Sequence, residues 1–286
     1  MIPAQIRRTL LTAAAILMFL ILAGATYQGA ATALERRQFP HPGRMVDIGD
    51  RQLHIYCVGE GSPTVVLEAP AAGMSAAWGW VQPAAAQTSR VCSYDRAGLG
   101  WSEAGDVPYD PSAVPEHLHA LLERSGEPGP YVLVGHGLGA IFATLYAVRF
   151  GDDVRTLILV DSPTAEADGA AVTMRLVRAS PWLARAGILR VTRLLSGDVV
   201  GLPESSAGPM TSFLNRPDHL TRAASELAAW DEAVRLAGSA PLDPDLPVVP
   251  LRVGGNERVA FLTDPSQAAT VTAAIAGSVR QIGSTR

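Results

Sequence analysis

Apolar and polar residues change rhythm several times along the chain, and each change predicts an element. The first stretch has no polar face at all: "TLLTAAAILMFLILAGATY" is apolar from about Leu10 to Ala25 and extendable to Tyr27. That is just long enough to span a bilayer, which sets residues 1–30 apart as an anchor or signal segment. A polar, proline-marked stretch over 31–43 predicts a linker. Two short alternating runs, "RMVDIG" and "RQLHIYCVG", separated by "GD", then predict an antiparallel hairpin.

Beyond the hairpin, continuous apolar runs of strand length ("PTVVLEAP", "RVCSYD", "YVLVG", "VRTLILVD") alternate with helical segments ("AAWGWVQPAAAQT", "PSAVPEHLHALLERSG", "AIFATLYAVRFG"). Strands covered on both faces read as unbroken apolar runs, so the alternation predicts an α/β domain with a mainly parallel central sheet and flanking helices. From about 162 to 240 the apolar spacing becomes helical, in "TMRLVRASPWLARAGILRVTRLLSG" and "HLTRAASELAAWDEAVRLAG", which predicts a lid inserted between strands. "LPVVPLRVGG" resumes the sheet and "DPSQAATVTAAIAGSVRQI" closes as a helix. The interval between these two is too short for another helix and strand, so the C-terminal part of the sheet is expected to be truncated. The folded domain is then 44–286.

Composition refines this picture. A chain of 286 residues, 48% of them hydrophobic, can bury a substantial core. Its net charge of -4 comes from 27 acids against 23 bases, all of them arginine, and no basic block offers a nucleic-acid footprint. Arg7 and Arg8, ahead of the apolar run, favour a cytoplasmic start and an extracytoplasmic domain on a single-pass membrane anchor. The small residues of "AGATYQGAATA" keep open the alternative, a cleaved signal that frees a secreted or periplasmic domain. Cys57 and Cys92 each fall within a predicted strand, either as a pair that an oxidising compartment would close or as two buried thiols. With no C-x-x-C and no H-E-x-x-H, neither a metal site nor a cofactor is predicted.

The chemistry concentrates in "YVLVGHGLGAIFATLYA", a strand that passes through a glycine turn into a helix. Two site types share this layout. In a nucleophile elbow, G-x-S-x-G, a serine sits on a strained turn; Gly135 and Gly139 hold the flanking places and Gly137 holds the serine's. In a dinucleotide fingerprint, G-x-G-x-x-G/A, glycines let a pyrophosphate approach the helix N-terminus; Gly135, Gly137 and Ala140 fit that spelling, and Asp161 supplies an acid after the next strand.

Five segments taken in order, "SPTVVLEAP", "WGWVQP", "VCSYDRAGLGWSE", "YVLVGHGLGAIFATLYA" and "LILVDSP", resemble the α/β-hydrolase family, in particular its membrane-anchored bacterial branch. The resemblance covers about 42–280. It implies an α/β-hydrolase fold with strand order 1-2-4-3-5-6 onward, which sets the strand of Cys57 beside that of Cys92 and brings a disulfide within reach. It also implies hydrolysis of small acyl substrates by serine, acid and histidine in that chain order. Here Gly137 stands in the nucleophile's place, Asp161 is a candidate acid, and Arg258 falls near the histidine's place, where a permanently charged guanidinium cannot act as a base. The last of six histidines is His219, in the predicted lid. The amides of Ala71 and Leu138 would form the oxyanion pocket. These residues predict a hydrolase fold with an impaired site that binds a small apolar or acyl ligand. An active ester hydrolase with an unusual site and a dinucleotide-binding protein are the alternatives.

Overall fold

The computed structural model describes residues 3–105, 107–163, 171–239, 241–254 and 261–284. Its apolar runs become one sheet of β1 (Arg44–Asp47), β2 (Gln52–Val58), β3 (Thr64–Glu68), β4 (Val91–Tyr94), β5 (Tyr131–His136), β6 (Val154–Val160) and β7 (Val248–Leu251). The spatial order is β1-β2-β4-β3-β5-β6-β7. β1 and β2 form the hairpin, β2 runs antiparallel to β4, and every later pairing is parallel. β3, β4 and β5 are buried at every position, as their uninterrupted apolar sequences require.

Side chains alternate between two cores across this sheet. Val65, Leu67, Val132, Val134, Ile158 and Val160 pack on one face, with Val271 and Ile275 of the C-terminal helix α10 (Pro265–Ser284). Val66, Leu133 and Leu157 face the other way, toward Leu118, Leu121 and Leu122 of α3 (Val114–Ser125) and Tyr146 of α4 (Leu138–Arg149). The antiparallel register of β2 on β4 puts Cys57 directly opposite Cys92, and the two form a disulfide.

Between β6 and β7 lie α5 (Ala171–Arg185), α6 (Ile188–Thr192), α7 (Glu204–Phe213), α8 (Pro217–Ala228) and α9 (Trp230–Ser239). No strand follows β7 before α10 among the described residues. Arg258 lies outside the described residues.

Two elements differ from the sequence expectation. The helix expected from "AAWGWVQPAAAQT" is a 3-10 turn at Ser75–Trp78 and a short α2 (Val81–Ala85), interrupted at Gly79, which lies against Ser206 and Pro203. The stretch 31–43, expected to be a linker, is largely helix: α1 runs without a break over Ala4–Gln38, because nothing in "ATALERRQ" stops a helix before Pro40. Its first part is exposed, whereas from Gly24 onward it packs on the domain. A Cβ on Gly24 would fall 2.1 Å from the Ala186 carbonyl oxygen. Further along, the buried Gln28 donates to the Asn215 carbonyl (2.7 Å) and accepts from Arg190 (3.0 Å), and Glu35 accepts from Ser212 (2.7 Å) and pairs with Arg190.

Candidate functional site

β5 ends at His136, α4 begins at Leu138, and Gly137 makes the whole connection with φ 55° and ψ -121°. Positive φ is the region where an L side chain is strained. The flanking glycines answer a different need, the close approach of backbone. A Cβ on Gly135 would lie 2.4 Å from the Gly139 oxygen, and one on Gly139 would lie 2.3 Å from the Glu68 oxygen. A Cβ on Gly137 would meet only the Pro70 Cβ, at 3.6 Å. The turn therefore has the shape of a nucleophile elbow with space at its apex and no side chain in it. Gly135 is occupied in packing against Ala140, so the dinucleotide reading of Gly135, Gly137 and Ala140 gains nothing from the geometry.

The loop after β3 faces this apex and is held from below. All five N–H groups of the buried Arg96 guanidinium are paired: to Glu68 Oε1 (2.6 Å), the carbonyls of Ala69 (2.7 Å) and Pro70 (3.0 Å), and both carboxylate oxygens of Glu226 on α8 (2.8 and 2.9 Å). Tyr94 donates its hydroxyl to the second oxygen of Glu68. Two buried carboxylates thus share one guanidinium. Burial pushes the Glu68 carboxyl above its ordinary value despite Arg96 and Tyr94, while Arg96 stays firmly protonated, its own burial outweighed by Glu226 and Glu68. Ala71 leaves this braced loop and packs in one apolar cluster with Leu138 and Phe142 of α4. Leu138 opens its helix, where N–H groups lack intrahelical acceptors. The two candidate oxyanion donors therefore flank the apex.

The bases are occupied elsewhere. Buried His219 accepts from the Gly100 N–H at Nδ1 (3.1 Å) and donates from Nε2 to the Ala72 carbonyl (3.0 Å). Both ring nitrogens pin loops, and burial lowers its pKa despite the Ala72 carbonyl. His136 is buried beside Trp78, its Nε2 3.9 Å from Asp161 Oδ2, and burial drives its pKa down to about 4 against the pull of Asp161. Asp161, at φ 45°, accepts from the Val253 N–H through Oδ1 (3.1 Å), and its buried Oδ2 has no hydrogen bond among the described residues. The structure thus brings Gly137, Leu138 and Ala71 together and places Asp161 beside His136.

A second constellation lies outside the residues singled out from the sequence. His54, fully buried, has Asp95 Oδ2 3.0 Å and Ser75 Oγ 3.4 Å from the same ring nitrogen, Nδ1. A catalytic relay needs acid and nucleophile on opposite nitrogens, and here Nε2 has no hydrogen-bond partner among the described residues. Asp95 also accepts from the Ser75 and Trp101 amides. Burial alone would raise its carboxyl, but His54 and these amides hold it below the carboxylate range. The group closes the "DRAGLGWS" loop onto β2. The only cue to it, and to the Arg96 cluster, was charge beside apolar strand ends in "LEAP" and "YDRAG".

Residues 65–282 match the model of the alpha/beta hydrolase family, and the chain belongs to that family. A 2-hydroxy-6-oxo-2,4-heptadienoate hydrolase of Pseudomonas putida is 30% identical over 121 residues, 41% of this chain and 44% of that protein. The chain spans less than half of the curated relatives it matches: 37% of one from Bacillus subtilis and 21% of one from Schizosaccharomyces pombe. Among solved structures, the epoxide hydrolase CorEH is similar at TM-score 0.62 and 17% identity, covering 85% of this chain and 99% of that one. An esterase of Thermogutta terrifontis is similar at TM-score 0.60 and 17% identity, covering 84% and 98%. At such identities the structures speak for the fold alone.

Proposed function

We propose that this member of the alpha/beta hydrolase family has lost serine-hydrolase chemistry and uses the region around its elbow to hold a small apolar or acyl ligand, on a domain anchored outside the cytoplasm by α1. The observation that carries this reading is Gly137: the elbow is built and braced, yet its apex offers no attacking oxygen. His219 supplies no base, since both its nitrogens are bonded to backbone. Loss of the serine or the histidine of a triad lowers turnover by about 10⁶, and an oxyanion pocket alone retains about 10³ to 10⁴ over water. Support for the anchor comes from α1, a helix long and apolar enough to cross a membrane, with Arg7 and Arg8 near its start.

A fluorophosphonate probe tests the loss of chemistry. The full chain is expected to take no covalent label, and label at a defined serine in the cavity overturns the reading. A medium-chain fatty acid at 100 times its dissociation constant should raise stability by about 2.7 kcal/mol, and no shift across chain lengths removes the ligand part.

The other reading with a specific observation behind it is an ester hydrolase with an unusual site. His136 Nε2 lies 3.9 Å from Asp161 Oδ2, which has no hydrogen bond among the described residues, so these two side chains are the histidine and acid that such a reading would assign. Ester turnover abolished equally by His136→Gln and Asp161→Asn would favour it.

A further inference from the structure

We infer that the α5–α6 corner is a second membrane contact, lying in the interface of the bilayer that α1 crosses. This rests on the anchor reading above. α1 leaves the protein surface at Gly24, because there its backbone packs directly on the corner at Ala186 and Gly187. Whatever membrane surrounds the exposed residues before Gly24 therefore begins level with that corner.

Length favours the contact. The apolar span free of both charge and domain runs from Thr9, after Arg8, to Ala23. At 1.5 Å per residue those residues reach about 22 Å, against a hydrocarbon core of about 30 Å. The domain must approach by about 8 Å, or the bilayer must thin by as much; interfacial helices sit about 5–10 Å deep.

The corner carries the side chains for such a depth. Trp182 is 71% exposed and Val191 73% exposed, with Ile188 and Leu194 also exposed, so four large apolar side chains stand together on this one corner. Arg185 lies over the Trp182 ring at 5.0 Å, and both it and Arg193 are exposed. Tryptophan and arginine at the edge of an apolar patch are the groups that settle at headgroup level. A solvated role would leave this apolar set in water with no compensating contact.

The test uses the full chain in phosphatidylcholine vesicles containing lipid brominated near the top of the acyl chains. Of the five tryptophans, Trp182 is the most exposed. Brominated lipid is expected to quench emission of the parent protein, and Trp182→Phe to remove at least half of that quenching. Aqueous iodide should quench Trp182 in vesicles at least two-fold less than it quenches free N-acetyltryptophanamide in the same buffer. If the chain floats with vesicles and resists carbonate extraction but Trp182→Phe leaves bromine quenching unchanged, the inference is overturned and the anchor stands. Iodide quenching in that case places Trp182 in water; shielding from both quenchers places it under protein. A chain that does not float overturns the anchor and this inference together.

Discussion

Gly135 and Gly139 differ from Gly137 by two residues in sequence and by everything in their surroundings. The flanking pair is required by backbone packed where a Cβ would go; at the apex a Cβ would meet only the Pro70 Cβ at an ordinary 3.6 Å, so glycine answers the backbone angle alone. The same contrast extends outward. Around the apex, Arg96, Glu68, Glu226 and His219 form bonds that hold the Ala69–Ala72 and Gly100 segments, while the apex itself carries a glycine with no side chain.

The largest expected effect comes from breaking the brace. Arg96→Met leaves Glu68 and Glu226 buried without their cation and should destabilise by about 3–5 kcal/mol in chemical denaturation; a loss under 1 kcal/mol would mean the brace is not what holds the elbow. Gly139→Ala should follow at about 3 kcal/mol, because the Glu68 and Ala69 carbonyls cannot yield without shifting β3.

His136 gives a pH test of similar size. Its pKa is about 4 when folded and about 6.5 when unfolded, so the unfolded chain binds the proton first as pH falls. Stability from this group is complete above about pH 6.5 and is lost down to about pH 4, by about 3 kcal/mol in total. His136→Gln should flatten denaturation midpoints over that window relative to the parent; parallel curves would deny the burial of a neutral imidazole. The smallest effect is expected at the apex. Gly137→Ala meets no backbone and should cost about 1–2 kcal/mol, from positive φ alone, and Gly137→Ser should fold equally well yet turn over no p-nitrophenyl ester. A Gly137→Ala cost equal to that of Gly139→Ala would erase the contrast between flank and apex.

Much of the fold was legible because its signals are local. Unbroken apolar runs marked β3, β5 and β6, the G-x-G-x-G spacing marked the elbow, and a missing serine is visible in one letter. The site's bracing was not legible, since Arg96 and Glu226 are 130 residues apart, and nothing near either names the other. For His219 the sequence indicates only a place in the lid; its ring bonds to Ala72 and Gly100 are long-range contacts.

The sequence by itself determined a parallel sheet, an elbow without a nucleophile and an apolar N-terminal run, because each depends on the order of neighbouring side chains. Only the tertiary structure decided that Cys57 and Cys92 join, that the helix of that run continues to Gln38 against α5–α7, and that His54, His136 and His219 are buried. Those outcomes depend on which distant groups meet once water is excluded, when a buried charge or imidazole must bond to whatever the fold brings within reach.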